Sequence, residues 1–134
     1  MNEGDLLESE ASKNNVILNI LVDVDVADTF VGKNIGVFRS PLKDPKDVVA
    51  IAREVEKREH LTYKGIMGYE AQNAGLGDDK ALMRWLKKRS RQYINVHRQN
   101  VVDALINAGY PPEIVNGGGS GCFEETAEEK SITE

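Results

Sequence analysis

The chain has 134 residues, 40% hydrophobic and 29% charged, which is typical of one modest globular domain, and its formal net charge of -5 gives a nucleic-acid partner no global electrostatic support. Its single cysteine, Cys122, excludes an internal disulfide framework and a multi-cysteine zinc site, and it suits a reducing cytoplasm. No apolar run reaches the ~18–20 residues of a membrane span and the acidic N-terminus does not resemble a signal peptide, so we expect a cytoplasmic protein without a membrane partner.

The first third of the chain contains one strong strand pattern. Residues 1–15 are polar and are expected to form a frayed or helical lead-in to a domain at 16–134. The segment 16–26 (VILNILVDVDV) begins as a nearly continuous apolar run, as in a strand buried on both faces. It then alternates, which puts Asp23 and Asp25 on one face. These carboxylates could bind a metal or transfer protons, but we favour a structural role as hydrogen-bond acceptors.

A loop over residues 27–43 leads into the first predicted helix of the domain. This helix begins with Asp44 as the N-cap and Pro45 at the first helical position. Apolar residues at helical spacing then predict one buried stripe, made of Val48, Ile51, Ala52 and Val55. The helix is expected to end near His60. We interpret His60 and His97 as surface or helix-face residues rather than metal ligands.

A second strand is predicted over residues 61–69, followed by a polar, glycine-containing loop at 70–77. A long helix then covers roughly residues 79–108 and is ended by Gly109 and the prolines after it. We interpret the basic run at 87–91 (KKRSR) as a solvated helix face. The predicted buried side of the helix consists of Leu82, Trp85, Leu86, Val101, Val102, Leu105 and Ile106.

The third strand, residues 113–116, leads directly into a glycine-rich run. Glycine tolerates positive φ and lets a ligand approach the backbone, and successive N–H groups can form a cradle for an anion. A plain flexible turn is the alternative. The run has neither the Lys-Ser/Thr of a Walker motif nor the spacing of a dinucleotide fingerprint. Its members are Gly117, Gly118, Gly119, Ser120 and Gly121.

The order strand, helix, strand, helix, strand predicts an α/β fold with parallel strands and right-handed crossovers. All three strands end in polar or glycine-rich loops, so a ligand site shared by those loops follows from the topology. Parallel sheets are normally covered on both faces, and three strands are few. The sequence therefore predicts part of a larger (β/α)8 TIM barrel, and we expect its unpaired strand edges to favour self-association.

Four segments, in the right order, resemble the amino-acid deaminase/aldolase branch of the alanine-racemase-like proteins, which includes D-threonine aldolases and D-serine dehydratases. The segments are 22–26 (VDVDV), 35–42 (IGVFRSPL), 65–78 (GIMGYEAQNAGLGD) and 115–121 (VNGGGSG). The resemblance extends over nearly all of 16–134. It implies pyridoxal 5′-phosphate (PLP) in the mouth of a TIM barrel, a β-rich second domain and a small amino-acid substrate.

The resemblance also implies roles for particular residues of this chain. The glycine run at 117–121 would hold the cofactor phosphate through backbone N–H groups and the Ser120 hydroxyl. Tyr69 would border the cofactor and the substrate at a strand end. Gln72 and Asn116 would be polar contacts in the same mouth.

Two functional groups of the family fall outside the matched segments. Its Schiff-base lysine lies on the first barrel strand, and neither Lys13 in the polar lead-in nor Lys64 inside a strand has that context. Its metal ligands lie in the C-terminal domain, so a divalent metal would belong to the parent enzyme. We therefore expect a fragment of a PLP-dependent lyase for β-hydroxy D-amino acids, inactive alone. A non-catalytic PLP- or phosphate-binding paralogue and a sugar-phosphate barrel are the alternatives.

Overall fold

The structure, a computed structural model, describes residues 2–30, 33–35, 40–69, 81–117 and 130–133. Its elements are α1 (Glu3–Asn14), β1 (Leu18–Asp23), β2 (Asp28–Phe30), β3 (Lys33–Ile35), α2 (Pro45–Glu56), β4 (Leu61–Gly68), α3 (Ala81–Asn107) and β5 (Ile114–Gly117). The predicted α/β class with parallel strands is confirmed. Within the described ranges, no helix is long and apolar enough to cross a membrane.

A parallel sheet in the order β1-β4-β5 forms the centre of the fold. β1 pairs with β4 along its whole length, and Asp23 at its end lies opposite Met67. β5 pairs with the second half of β4, so that Gly68 lies opposite Gly117. The three strands therefore end together, and we refer to this end of the sheet as the C-terminal edge. In open α/β sheets and α/β barrels, ligands bind at this edge.

Helices α2 and α3 bury a continuous apolar core against one face of the sheet. Successive strand residues point to opposite faces, so β1 contributes alternate residues to this core. In β4 the register shift against β1 lies between the core residues Tyr63 and Ile66. The other face of the sheet is not covered by α2 or α3. The core consists of Val22, Val24, Val48, Ala52, Val55, Leu61, Tyr63, Ile66, Val101, Val102, Leu105 and Val115.

Helix α2 begins where the sequence predicts. Asp44 Oδ1 accepts a hydrogen bond from the Lys46 backbone N–H at 2.8 Å, and Pro45 is the first helical residue. Three members of the predicted stripe are buried, but Ile51 is exposed. Ile51 lies at the margin of the stripe, where the helix surface turns from the sheet towards water.

Helix α3 spans 27 residues and ends at Asn107, close to the predicted end. Gly109 follows with φ +86°, the left-handed conformation expected of a C-terminal glycine. The predicted buried side is wrong at the start of the helix, where Leu82 and Trp85 are 63% and 52% exposed, and also for Ile106. A helix of this length extends ~40 Å, while the eight residues of β4 extend ~26 Å, so the start of α3 projects beyond the sheet, whereas Leu105 near its end is buried in the core.

Residues 28–30 and 33–35 form a small antiparallel pair, β2 with β3, rather than the predicted loop. Each strand has three residues, which is too short for a periodic pattern to indicate it.

The N-terminal lead-in is helical and is attached to the turn before β4 by an ion pair and by hydrogen bonds. Arg58 Nη2 lies 2.8 Å from Asp5 Oδ1. Glu8 Oε1 lies 2.9 Å from His60 Nδ1, and Glu8 Oε2 accepts a hydrogen bond from the His60 backbone N–H at 3.0 Å. The hydrogen bond with His60 is the main reason why the pKa of Glu8 lies below its usual value.

The outer edge of β5 is occupied at Val115 by residues that come later in the chain. The Val115 N–H donates to Thr133 Oγ1 at 2.8 Å, and the Thr133 N–H donates to the Val115 carbonyl oxygen at 3.0 Å. Ile132 packs against the core. The backbone of this edge strand is therefore satisfied at its central residue.

Gly65 provides a test of the sheet geometry. It lies opposite Leu21, where the register of β4 against β1 shifts, and a Cβ there would lie 1.8 Å from the Ile114 carbonyl oxygen. We expect Gly65→Ala to lower the free energy of unfolding by about 2–4 kcal/mol, because β5 must move away from β4. Gly109→Ala is the control. Its added Cβ would have no atom within 4 Å, so the free energy of unfolding should fall by only about 1 kcal/mol, because of the positive φ. Urea denaturation measures both, and equal losses would contradict the close approach.

Candidate functional site

Three side chains form a row on the sheet face opposite α2 and α3, one from each strand. Asp23, Met67 and Asn116 are paired across β1, β4 and β5 at the C-terminal edge. The residue before each of them belongs to the buried core, so strand alternation directs these three away from the helices. Tyr69 follows β4 at the same edge and is exposed. The structure thus brings together Tyr69 and Asn116, two of the residues predicted to contact a ligand.

The predicted site residue Gly117 ends β5 at this edge, against a buried arginine. A Cβ on Gly117 would lie 2.8 Å from Arg98 Nη2 and 2.8 Å from Ile132 Cδ1. On the neighbouring strand, the Gly68 carbonyl oxygen accepts a hydrogen bond from Arg98 Nη2 at 3.3 Å. The two strands therefore end in glycine where a guanidinium group lies against the backbone.

The rest of the predicted site lies outside the residues that the structure describes. It comprises Gln72, Gly118, Gly119, Ser120 and Gly121. The phosphate-binding role of residues 118–121 and the role of Gln72 as a polar contact stay predictions. Of the predicted phosphate-binding run, the structure describes Gly117 at the end of β5.

Arg98 was not among the residues singled out from the sequence. It is 1% exposed and lies on α3 in the same stripe as Ile94, Val101 and Leu105. These positions recur at helical spacing, so an arginine inside an apolar stripe was the signal that could have revealed it. Arginine is rarely buried completely and remains charged, so it places a fixed positive charge at the C-terminal edge.

The two acidic residues of the first strand pattern have different surroundings. Asp25 is buried beyond the end of β1, and its Oδ1 accepts a hydrogen bond from the Ala27 N–H at 3.0 Å, which is the structural role favoured from the sequence. Asp23 lies in the row on the face opposite α2 and α3. Within the described ranges, no group of three or more His, Cys, Asp or Glu residues could hold a metal ion.

The basic run on α3 is not uniformly solvated, contrary to the prediction. Arg89 Nη1 lies 2.9 Å from Oδ2 of Asp28, which is 3% exposed. Ser90 is also buried. The helix turns these two positions towards β2 and the core, whereas Lys88 faces water.

His97 is half-buried on α3, next to the segment that follows β1. Its ring stacks on Tyr93 with centroids 5.9 Å apart. Lys43 Nζ lies 5.7 Å from the centroid of the Tyr93 ring. Burial is the main cause that lowers the pKa of His97, and the charge of Lys43 lowers it further, while Asp25 acts in the opposite direction. His97 is therefore held neutral more strongly than a solvated histidine.

No protein-family profile and no curated protein matches the sequence. Solved structures match its fold. D-threonine aldolase from Filomicrobium marinum superposes with a TM-score of 0.79 at 18% identity, over 98% of this chain and 32% of that one. Alanine racemase from Clostridium difficile 630 in complex with cycloserine superposes with a TM-score of 0.57 at 14% identity, over 95% of this chain and 30% of that one. Alanine racemase from D-cycloserine producing Streptomyces lavendulae superposes with a TM-score of 0.61 at 14% identity, over 93% of this chain and 28% of that one.

The chain has the fold of part of an alanine-racemase-like barrel. It spans about a third of the length of the barrel enzymes that it matches. The predicted likeness to this group and the partial TIM-barrel architecture are confirmed. At 98% coverage, the match with the aldolase extends into α1, which precedes β1.

The titration of His97 makes the stability of this barrel segment depend on pH. The pKa of His97 is lower in the folded chain than the usual 6.5, so below about pH 6.5 the unfolded chain binds a proton that the folded chain resists. We expect the free energy of unfolding to fall as the pH drops through this range, and His97→Gln to show a shallower fall. Urea denaturation between about pH 5 and 8 measures this. His60 and the carboxylates are common to the wild type and the variant. Parallel curves of unfolding free energy against pH would therefore contradict the assignment of the pH dependence to His97.

Proposed function

We propose that this chain forms the PLP-binding part of a barrel that acts on an amino acid. The observation that carries the proposal is the convergence of Tyr69, Asn116 and Gly117 at one sheet edge, with the buried Arg98 behind them. The fold shared with a D-threonine aldolase and with alanine racemases supports this cofactor.

The residues at the C-terminal edge suit the chemistry of this cofactor. A phosphate dianion favours backbone N–H groups and a fixed positive charge, which the strand end at Gly117 and the guanidinium of Arg98 would supply. The Asn116 amide can donate and accept hydrogen bonds, and the Tyr69 hydroxyl can do both as well. When bound, PLP supplies the electron sink that stabilises a carbanion, while these residues bind and orient it.

We further propose that the parent reaction is Cα–Cβ cleavage or β-elimination of a β-hydroxy amino acid of D configuration. The four segments that resemble D-threonine aldolases and D-serine dehydratases support this reaction class, and a D-threonine aldolase is among the solved structures that share the fold. The substrate would bind at the C-terminal edge of the sheet, where the row of Asp23, Met67 and Asn116 lies.

The positions of two lysines favour a second candidate function, a non-catalytic chain that binds PLP or phosphate. Lys64 lies four residues before the end of β4. Its Nζ donates hydrogen bonds to Glu113 Oε1 at 2.8 Å and to Glu113 Oε2 at 2.9 Å. Lys13 lies on α1, with its Nζ 2.6 Å from Glu10. Neither amine is at the C-terminal edge, so neither lysine is placed to form an imine with the cofactor there.

Cofactor binding is tested by comparing PLP with pyridoxal, which lacks the phosphate. We expect the 134-residue chain to bind PLP roughly tenfold more tightly, because the phosphate gains charge-assisted hydrogen bonds. Asn116→Asp should weaken PLP binding by roughly tenfold, because it adds a negative charge beside an anion. Asn19→Asp, on the same face but near the start of β1, is the matched control and should have little effect. Isothermal titration calorimetry measures all four affinities, and equal binding of PLP and pyridoxal would contradict the proposal.

The two candidate functions differ in covalent chemistry. We expect borohydride reduction of the chain with PLP to leave no stoichiometric adduct on Lys64, because Glu113 holds its amine in an ion pair away from the edge. Glycine release from D-threonine should stay at the level of free PLP. Peptide mass spectrometry and an amino-acid assay are the measurements. An adduct on one lysine, together with turnover that is lost when that lysine is replaced by arginine, would instead establish the catalytic candidate.

A further inference from the structure

We infer that the outer edge of β1 is a dimerisation surface, at which a second copy of this chain adds its own β1 in the antiparallel direction. The inference concerns the side of β1 that faces away from β4, and it does not depend on the cofactor or on the reaction proposed above. It assigns a strand and a register to the self-association that the sequence predicts for unpaired strand edges.

The backbone of β1 points alternately towards β4 and away from it. The Leu18 N–H donates to the His60 carbonyl oxygen at 2.9 Å, and the Val24 N–H donates to the Met67 carbonyl oxygen at 2.8 Å. The register shift places its extra residue in β4, so the alternation along β1 is unbroken. Even-numbered residues of β1 therefore bond to β4, and odd-numbered residues direct their N–H and C=O groups to the outer edge.

Two successive outward positions, Asn19 and Leu21, are open for a further strand. Both residues are exposed, and among the residues that the structure describes neither has a hydrogen-bond partner beyond the pairing of β1 with β4. The outer edge is closed further along, where the Asp25 N–H donates to the Leu42 carbonyl oxygen at 2.8 Å. On the opposite side of the sheet, the edge of β5 is already bonded to Thr133. A strand can therefore join β1 without displacing an existing hydrogen bond.

The sequence of this edge lacks the features that keep edge strands apart. Such strands commonly carry lysine, proline or inward-pointing charges. Residues 16–22 (VILNILV) contain no charged residue and no proline. Val16 and Ile17 are 44% and 66% exposed. An uncharged, apolar edge with open backbone groups favours the addition of a further strand.

A second copy fits this edge because its open positions are self-complementary. With a two-fold axis at Ile20, Asn19 of each copy lies opposite Leu21 of the other, and each such pair exchanges both of its backbone hydrogen bonds. The same surface serves on both copies, as in other two-fold dimers. An axis perpendicular to the sheet makes the two β1 strands antiparallel and keeps α2 and α3 of both copies on one face.

This register joins the apolar layers of the two copies and separates their charges. Leu18 and Ile20 are half-buried and pack against the core. In the dimer, Ile20 lies opposite Ile20, and Leu18 lies opposite Val22 of the second copy, so the core layer continues across the axis. Asp23 lies opposite Ile17 of the second copy, so the two carboxylates do not face each other.

The register is tested by disulfide cross-linking of the full 134-residue chain in a Cys122→Ser background. Ile20→Cys places two thiols at the axis, in a non-hydrogen-bonded pair whose Cα atoms are ~4.5 Å apart, which is within reach of a disulfide. After treatment with oxidised glutathione, we expect most of this variant to migrate as a covalent dimer in non-reducing gel electrophoresis. Leu18→Cys is the matched control, half-buried on the same face of β1. Its two Cα atoms would be roughly 13 Å apart along the strands, too far for a disulfide.

Sedimentation velocity measures the association of the unmodified chain. We expect a concentration-dependent dimer, and Asn19→Pro should raise its Kd by about tenfold or more, because proline removes an outward N–H and leaves the bonds to β4 in place. Where Asn19→Pro does not fold, as judged by far-UV circular dichroism, Leu21→Lys provides an edge charge with the same expected loss. Leu6→Lys places that charge on the exposed face of α1 and should leave the Kd unchanged.

Three results would overturn the inference. The first is a wild-type chain that sediments as a monomer at every concentration. The second is a dimer whose Kd is the same in the wild type and in a folded edge variant, since the contact would then lie elsewhere. The third is cross-linking of Leu18→Cys as complete as that of Ile20→Cys, which would contradict the two-fold register.

Discussion

Parallel pairing of β4 with β1 and β5 is the constraint on which the arrangement of this protein depends. It brings three strand ends to one edge and fixes which residues share a row. Because α2 and α3 cover one face, alternation sends Val22, Ile66 and Val115 into the core and their successors to the other face. The candidate site therefore follows from strand register and from the side on which the helices pack.

The chemistry of the sheet changes over two residues along each strand. The core row is followed by the row of Asp23, Met67 and Asn116, and β4 and β5 then end in glycine beside Arg98. On the helix side, the apolar core thus borders the buried guanidinium group of Arg98 at this edge. This arrangement puts a rigid charged group directly beneath the residues that lead into the glycine run.

Local chemistry made part of the fold predictable. Asp44-Pro45 specifies a helix start whatever the rest of the chain does, and β-branched runs with intervening helices specify parallel strands. The exposure of Leu82 and Trp85 was not predictable, because it depends on the length of α3 relative to the sheet. The close neighbours of Gly117 were not predictable either: a Cβ there would lie 2.8 Å from Arg98 Nη2 and 2.8 Å from Ile132 Cδ1, side chains that are 19 and 15 residues away in the sequence.

The contact between Thr133 and Val115 has a consequence for how this sheet could grow. An edge strand recruits another strand through its outward N–H and C=O groups, and at Val115 both of these are already bonded to Thr133. A further strand could join β5 there only by exchanging with Thr133, one pair of hydrogen bonds for another. Addition at this edge is thus a competition between two nearly equivalent partners, and the length and register of the incoming strand would decide it.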